Sequence, residues 1–170
     1  MTQNPKVRLR ALEPEDLELL YRIENDVNLW NVGSSNVPYS RYTLHNYIAT
    51  ASGDIYIDRQ VRMMIENEQG EVVGIVDLVN FDPSNRRAEL GLIIEEPYRH
   101  VGYAQSTMEQ ISDYAVNILH LHQIFATIDV TNEACLQLFR KLGYTESARL
   151  KDWLFDGRNY RDVIVMQMVF

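Results

Sequence analysis

The chain has 170 residues, with 16 Lys and Arg against 24 Asp and Glu, a net charge of −8 and 46% hydrophobic residues. This points to one globular domain, residues 1–170, and argues against a nucleic-acid surface, which needs a basic patch. No apolar run approaches the ~20 residues of a membrane span, the first twelve residues hold no apolar signal core, and the single cysteine excludes a disulfide framework; a cytoplasmic location without membrane contact is expected.

Residues 7–12 (VRLRAL) read as a first strand. Pro14 then opens a helix with Leu17, Leu20, Tyr21 and Glu24 at helical spacing; proline suits a first turn, where its missing N–H would be unpaired anyway. Residues 31–40 are loop formers, and Ser40 is placed to cap a second helix running to about Ala51. Residues 61–67 and 71–81 read as a hairpin turning at 68–70, and 86–95 as the next strand. A helix from 102 to about 119 follows, with Ala104, Met108, Ile111, Ala115, Ile118 and Leu119 on its apolar face. Residues 123–130 form a strand, and Asn132 opens a short helix stopped by Gly143. Two last strands, 145–155 and 160–169, flank Asp156-Gly157, a hairpin signal. Their exposed edges make a homodimer plausible.

The turn between strand 86–95 and its helix reads EEPYRHVGYAQ. The first turn of a helix carries unpaired N–H groups and partial positive charge, so an anion binds there. Gly102 and Ala104 let an anion come close, and Arg99 adds a cation with a planar donor fork. A diphosphate therefore fits residues 99–105. The chain has neither a G-x-x-x-x-G-K-[ST] loop nor a G-x-G-x-x-G fingerprint, which argues against a P-loop nucleotidase and a dinucleotide dehydrogenase. His120 and His122 lack a third ligand, so no metal is expected.

R-x-x-G-x-A at 99–104, after a strand ending Leu-Ile-Ile, resembles the acetyl-CoA pyrophosphate loop of the GNAT (Gcn5-related) N-acetyltransferases. Residues 131–144, TNEACLQLFRKLGY, are similar to the family's N-x-x-A/S-x-x-L-Y-x-K-x-G-F helix. Residues 7–26 and 150–166 resemble the opening segment and closing hairpin of the ribosomal-protein-alanine and spermidine branches. The resemblance implies an α/β (α+β) fold: a mixed, twisted seven-stranded sheet flanked by about four helices, with strands 4 and 5 splayed. Acetyl-CoA would lie in that gap, against the main chain of Leu92, Ile93 and Ile94. Its diphosphate would rest on Arg99, His100, Val101, Gly102, Tyr103, Ala104 and Gln105, with Asn132 on the cofactor arm.

The implied reaction moves an acetyl group from the thioester to a primary amine, on a small molecule or polyamine or on a peptide N-terminus. Glu89 matches the "AE" glutamate of the spermidine branch and is the candidate base. The family's tyrosine acid is replaced beside the cofactor by Phe139, which cannot donate a proton. That substitution keeps a third reading open, an acyl-CoA-binding module with little catalysis. Cys135 lies near a helix N-terminus, which favours thiolate, and is the second catalytic candidate; a small buried packing residue is the plainer reading. Trp30, Pro38 and Tyr39 match the spermidine branch's acceptor loop, whose paired glutamates this chain lacks. Trp30 and Tyr39 are therefore the substrate-binding candidates.

Overall fold

The structure, a computed structural model, describes residues 4–29 and 37–170. Seven strands form one sheet: β1 (Arg8–Ala11), β2 (Val61–Glu66), β3 (Val72–Asp82), β4 (Arg87–Ile94), β5 (Gln123–Asp129), β6 (Thr145–Phe155) and β7 (Tyr160–Val169). Their spatial order is β1-β2-β3-β4-β5-β7-β6. Only β4 and β5 pair in parallel, because the chain between them crosses over through a helix. The described residues include five α-helices: α1 (Leu17–Glu24), α2 (Arg41–Thr50), α3 (Ile55–Asp58), α4 (Tyr103–Asn117) and α5 (Glu133–Lys141). The mixed seven-stranded sheet is the one expected. The additional helix, α3, is a single turn, too short to carry a periodicity.

Local chemistry explains most boundaries. Pro14 begins a 3-10 turn that leads into α1, where the Asp16 carboxylate accepts from the Glu13 N–H at 2.8 Å. Ser40 Oγ accepts from the Thr43 N–H at 3.0 Å and caps α2. Asn132 Oδ1 accepts from the Cys135 N–H at 3.2 Å and caps α5. At the last hairpin, Asp156 Oδ1 accepts from the N–H groups of Arg158 and Asn159. The expected end of α4 is corrected: the helix stops at Asn117, and Ile118 is 63% exposed rather than on the apolar face.

The sheet has two differently covered faces. On one, Ala88, Leu90 and Ile94 of β4 pack with Met108 and Ile111 of α4 and Phe139 of α5. On the other, Leu20 and Ile23 of α1 and Leu44 of α2 pack on Met64 and Ile75. Each such fully buried aliphatic side chain contributes about 1.5–3 kcal/mol. α1 and α2 pack over β2, β3 and β4 of their face. At Gly74 a Cβ would fall 2.2 Å from the Ile93 carbonyl oxygen, so β3 approaches β4 there only without a side chain. Among the described residues no helix is long and apolar enough to cross a membrane.

Candidate active site

β4 and β5 pair only through Arg87, Ala88 and Glu89, opposite Gln123, Ile124 and Phe125. Beyond Glu89 they part, while β4 stays paired to β3 as far as Ile94. Main-chain groups alternate sides along a strand. The Arg86 carbonyl accepts from the His122 N–H at 2.7 Å, on the β5 side, and the Glu95 N–H donates to Val73 O at 2.9 Å, on the β3 side. By this alternation Leu92 and Ile94, beyond the paired segment, turn their N–H groups to the gap, and Gly91 and Ile93 turn theirs to β3. The expected trio Leu92, Ile93 and Ile94 is corrected accordingly. Ile93 gives its main chain to β3, and its side chain joins the cluster beneath α1 and α2.

At the open end of the gap the chain passes through a 3-10 turn, Glu96–Tyr98, and into the loop before α4. Arg99 is extended, His100 is left-handed at φ 64°, and Gly102 is left-handed at φ 102°. The first helical bond of α4 runs from the Ser106 N–H to Gly102 O at 3.1 Å. The N–H groups of Tyr103, Ala104 and Gln105 therefore lack helical acceptors. Val101 and His100 are exposed. Arg99 is tied down: its Nε donates to Ile94 O at 2.8 Å, linking the end of β4 to the loop. Gly102 has a second reason to be glycine, since a Cβ would lie 2.9 Å from Pro5 Cδ and 3.1 Å from Asn4 Oδ1. Sequence reading missed Lys141, whose Nζ donates to Gln105 Oε1 at 2.8 Å and brings a second cation to the mouth of α4. Its sequence signals are a basic residue in the last turn of α5 and the lysine position of the helix motif at 131–144.

The opposite side of the fork, on the α1–α2 face, is built from charged side chains. Arg62 binds Asp77 through two bonds, 2.7 and 2.9 Å, and also reaches Glu24. Burial pulls the Arg62 guanidinium down, but Asp77 and Glu24 more than offset this and hold it above its ordinary range. Asp129 faces Arg161 at 3.1 Å. Glu89 sits at the apex, accepting from Thr127 Oγ1 on β5 and Asn80 Nδ2 on β3, each at 2.8 Å. Arg87 is engaged elsewhere, with Asp82 at 3.2 Å.

Other candidates fall as follows. Cys135 is half-buried, and burial pushes its thiol up to about 11, so the expected thiolate is corrected: the helix N-terminus does not outweigh the loss of water. Phe139 is 3% exposed and packs edge-on to Tyr144 at 4.7 Å between ring centroids. Tyr144 is equally buried; its hydroxyl has no aligned hydrogen-bond partner among the described residues, and burial pushes the phenol up. The Tyr39 main chain is held by the Asn25 side chain at 2.7 and 3.0 Å, and its ring packs beside α1 and α2. Trp30 lies outside the described residues. Among the described residues no group of three or more His, Cys, Asp or Glu side chains is placed to hold a metal ion.

Residues 6–145 match the family described as acetyltransferase (GNAT) domain. The chain belongs to this family. It is an acetyl-CoA-dependent N-acetyltransferase, with the splayed strands and helix-mouth loop that its sequence implied. It is 29% identical over 164 residues to spermidine N(1)-acetyltransferase of Escherichia coli, covering 94% of this chain and 84% of that protein. Its fold is similar to the crystal structure of spermidine N-acetyltransferase from Vibrio cholerae in complex with CoA and spermine. The TM-score is 0.86 at 27% identity, over 96% of this chain and 95% of that one. A dodecameric structure of the same Vibrio cholerae protein gives a TM-score of 0.78 at 27% identity, over 96% and 94% of the two chains.

Proposed function

We propose that this acetyltransferase acts on a primary amine of a small cationic molecule, a polyamine foremost, by direct attack on the thioester. The observation that carries the reading is the charge of the acceptor side. Four carboxylates, Glu24, Asp77, Glu89 and Asp129, stand against two guanidiniums, Arg62 and Arg161. Four against two leaves a net −2, which attracts a polycation. Relatives named for spermidine and spermine point the same way.

In this reading the diphosphate rests on the N–H groups of residues 100–105 beside Arg99 and Lys141. The amide-rich arm pairs with the gap-facing main chain of Leu92 and Ile94, and Asn132 meets it with its amide nitrogen. The Leu92 N–H, aimed into the gap on the Glu89 side of Ile94, stabilises the oxyanion that forms on the thioester carbonyl. Glu89, through a water, takes the proton from the amine. Magnitudes show why the base matters more than the missing tyrosine acid. An alkyl amine of pKa about 10.4 is neutral at pH 7 at a cost of about 5 kcal/mol, whereas a thiol of pKa about 8.5 leaves as thiolate within about 2 kcal/mol of its protonated form. Phe139 in place of tyrosine is therefore compatible with turnover, the thiolate being protonated by solvent.

Thiol release measured with acetyl-CoA across spermidine, spermine, amino acids and short peptides tests this. Spermidine and spermine are expected to turn over fastest. A preference for peptides would move the acceptor to a protein N-terminus, and coenzyme binding without thiol release would leave a binding module. A homodimer through the last hairpin is part of the proposal: Trp153, Phe155 and Tyr160 are 59%, 57% and 63% exposed on the β6–β7 edge. A monomer by light scattering would remove it. A cytoplasmic location accompanies the reading, and recovery from a secreted fraction would contradict it.

A further inference from the structure

The geometry points to Thr127 and Asn80 as positioning residues that hold Glu89 ready to accept the amine proton, an inference that rests on the reading of Glu89 as base. Four carboxylates share the acceptor side, and three are quenched by guanidinium. Asp77 and Glu24 are bound by Arg62, and Asp129 faces Arg161. Glu89 differs. One oxygen accepts from the Thr127 hydroxyl and the other from the Asn80 amide, both at 2.8 Å, and both donors are neutral. A carboxylate has about four lone-pair sites. Two neutral bonds fix its plane and leave the rest free, whereas a bidentate guanidinium occupies both oxygens and opposes protonation.

The placement is specific. Glu89 is the last β4 residue paired to β5, so its side chain stands where the fork opens. Thr127 lies two residues beyond Phe125, Glu89's β5 partner, on the strand that turns away. Asn80 lies on the far neighbour, β3, where pairing with β4 slips between Val79 and Asp82. Its backbone is left-handed at φ 51°, a conformation that costs most side chains energy and asparagine least. The slip carries the Asn80 amide to Glu89. The clasp thus spans three strands at the vertex of the gap and ties the base to both walls.

Steady-state kinetics with acetyl-CoA and spermidine, or the fastest amine of the screen, decides the matter. Thr127→Val keeps the side chain's shape at an exposed strand position and removes the donor. It is expected to lower kcat about tenfold with KM for acetyl-CoA unchanged, and Thr127→Ser, which keeps the hydroxyl, to restore kcat. Asn80→Gly keeps the left-handed backbone and should lower kcat similarly. In a Glu89→Gln background Thr127→Val should have no further effect. If Glu89→Gln retains full kcat, the base reading itself fails. If Glu89→Gln is impaired but Thr127→Val matches the parent chain, or Ser fails to rescue, the positioning inference is overturned and the base reading stands.

Discussion

The donor side and the acceptor side of the fork are made of different material. The donor side is main chain: the gap-facing groups of Leu92 and Ile94 and the N–H groups at the mouth of α4, with Arg99 and Lys141 beside them. The acceptor side is side chain: carboxylates and guanidiniums gathered from α1, β2, β3, β4, β5 and β7. Main-chain recognition needs small residues in one short stretch, because the backbone must approach the ligand. Side-chain recognition needs only that distant residues converge. The comparison predicts that the two sides fail differently when altered.

The largest effect should fall on the donor side. Gly102→Glu places bulk and negative charge in the anion cradle and should weaken CoA binding at least about 1,000-fold by calorimetry, an energy of about 4 kcal/mol. Gly102→Ala separates strain from charge. Its Cβ meets Pro5 and the left-handed backbone, so it should lose about 1–2 kcal/mol of stability and much less affinity. Unchanged CoA affinity in Gly102→Glu would break the claim that the donor side is main chain.

Next is the centre of the acceptor side. Arg62→Ala removes the cation that Asp77 binds through two bonds, in a site only 22% exposed at the arginine. Removing one partner of a buried pair costs about 3–5 kcal/mol, and partial solvation puts this case at about 3 kcal/mol in urea unfolding. CoA affinity should change little. A loss under about 0.5 kcal/mol would mean that the cluster is no more than a solvated surface pair.

How much of this was legible in the sequence follows from the same contrast. Ser40, Asn132 and Asp156 act within a few residues of themselves, so their caps and turn could be read directly. So could the turn at 99–102 that leads into α4. The pairing of Arg62 with Asp77 and Glu24, and of Lys141 with Gln105, depends on which strands and helices become neighbours, and no local pattern carries that. Glu89 was found through a resemblance, but its neutral partners, nine and 38 residues away, were invisible. A run of apolar residues does not show which main-chain groups face the gap, so the sequence does not set Ile93 apart from Leu92 and Ile94. The helix position of Cys135 is legible in the sequence, but the burial that sets its chemistry is not.

A smaller effect should come from an ion pair away from the fork. Arg10 hydrogen-bonds the Asp16 carboxylate and holds it below the ordinary carboxylate range, against the upward push of burial. Because the folded value is the depressed one, the unfolded chain binds more protons near pH 4. Stability is therefore full above that range and falls as pH drops through the folded value. Asp16→Asn should lose about 1–2 kcal/mol at pH 7 and flatten that acid slope, with kcat unchanged. The smallest effect belongs to Tyr144. Tyr144→Phe removes a buried hydroxyl without an aligned partner and should be neutral or stabilising by up to about 1 kcal/mol. A large fall in kcat would instead make Tyr144 the proton donor that Phe139 cannot be.

The most direct measurement is a crystal structure of this chain with CoA. The pantetheine arm should lie between β4 and β5 within hydrogen-bond distance of the Leu92 and Ile94 main chain, with the diphosphate against residues 100–105 and the sulfur near Leu92. An arm lying against the α1–α2 face, or a diphosphate away from the mouth of α4, would contradict the account.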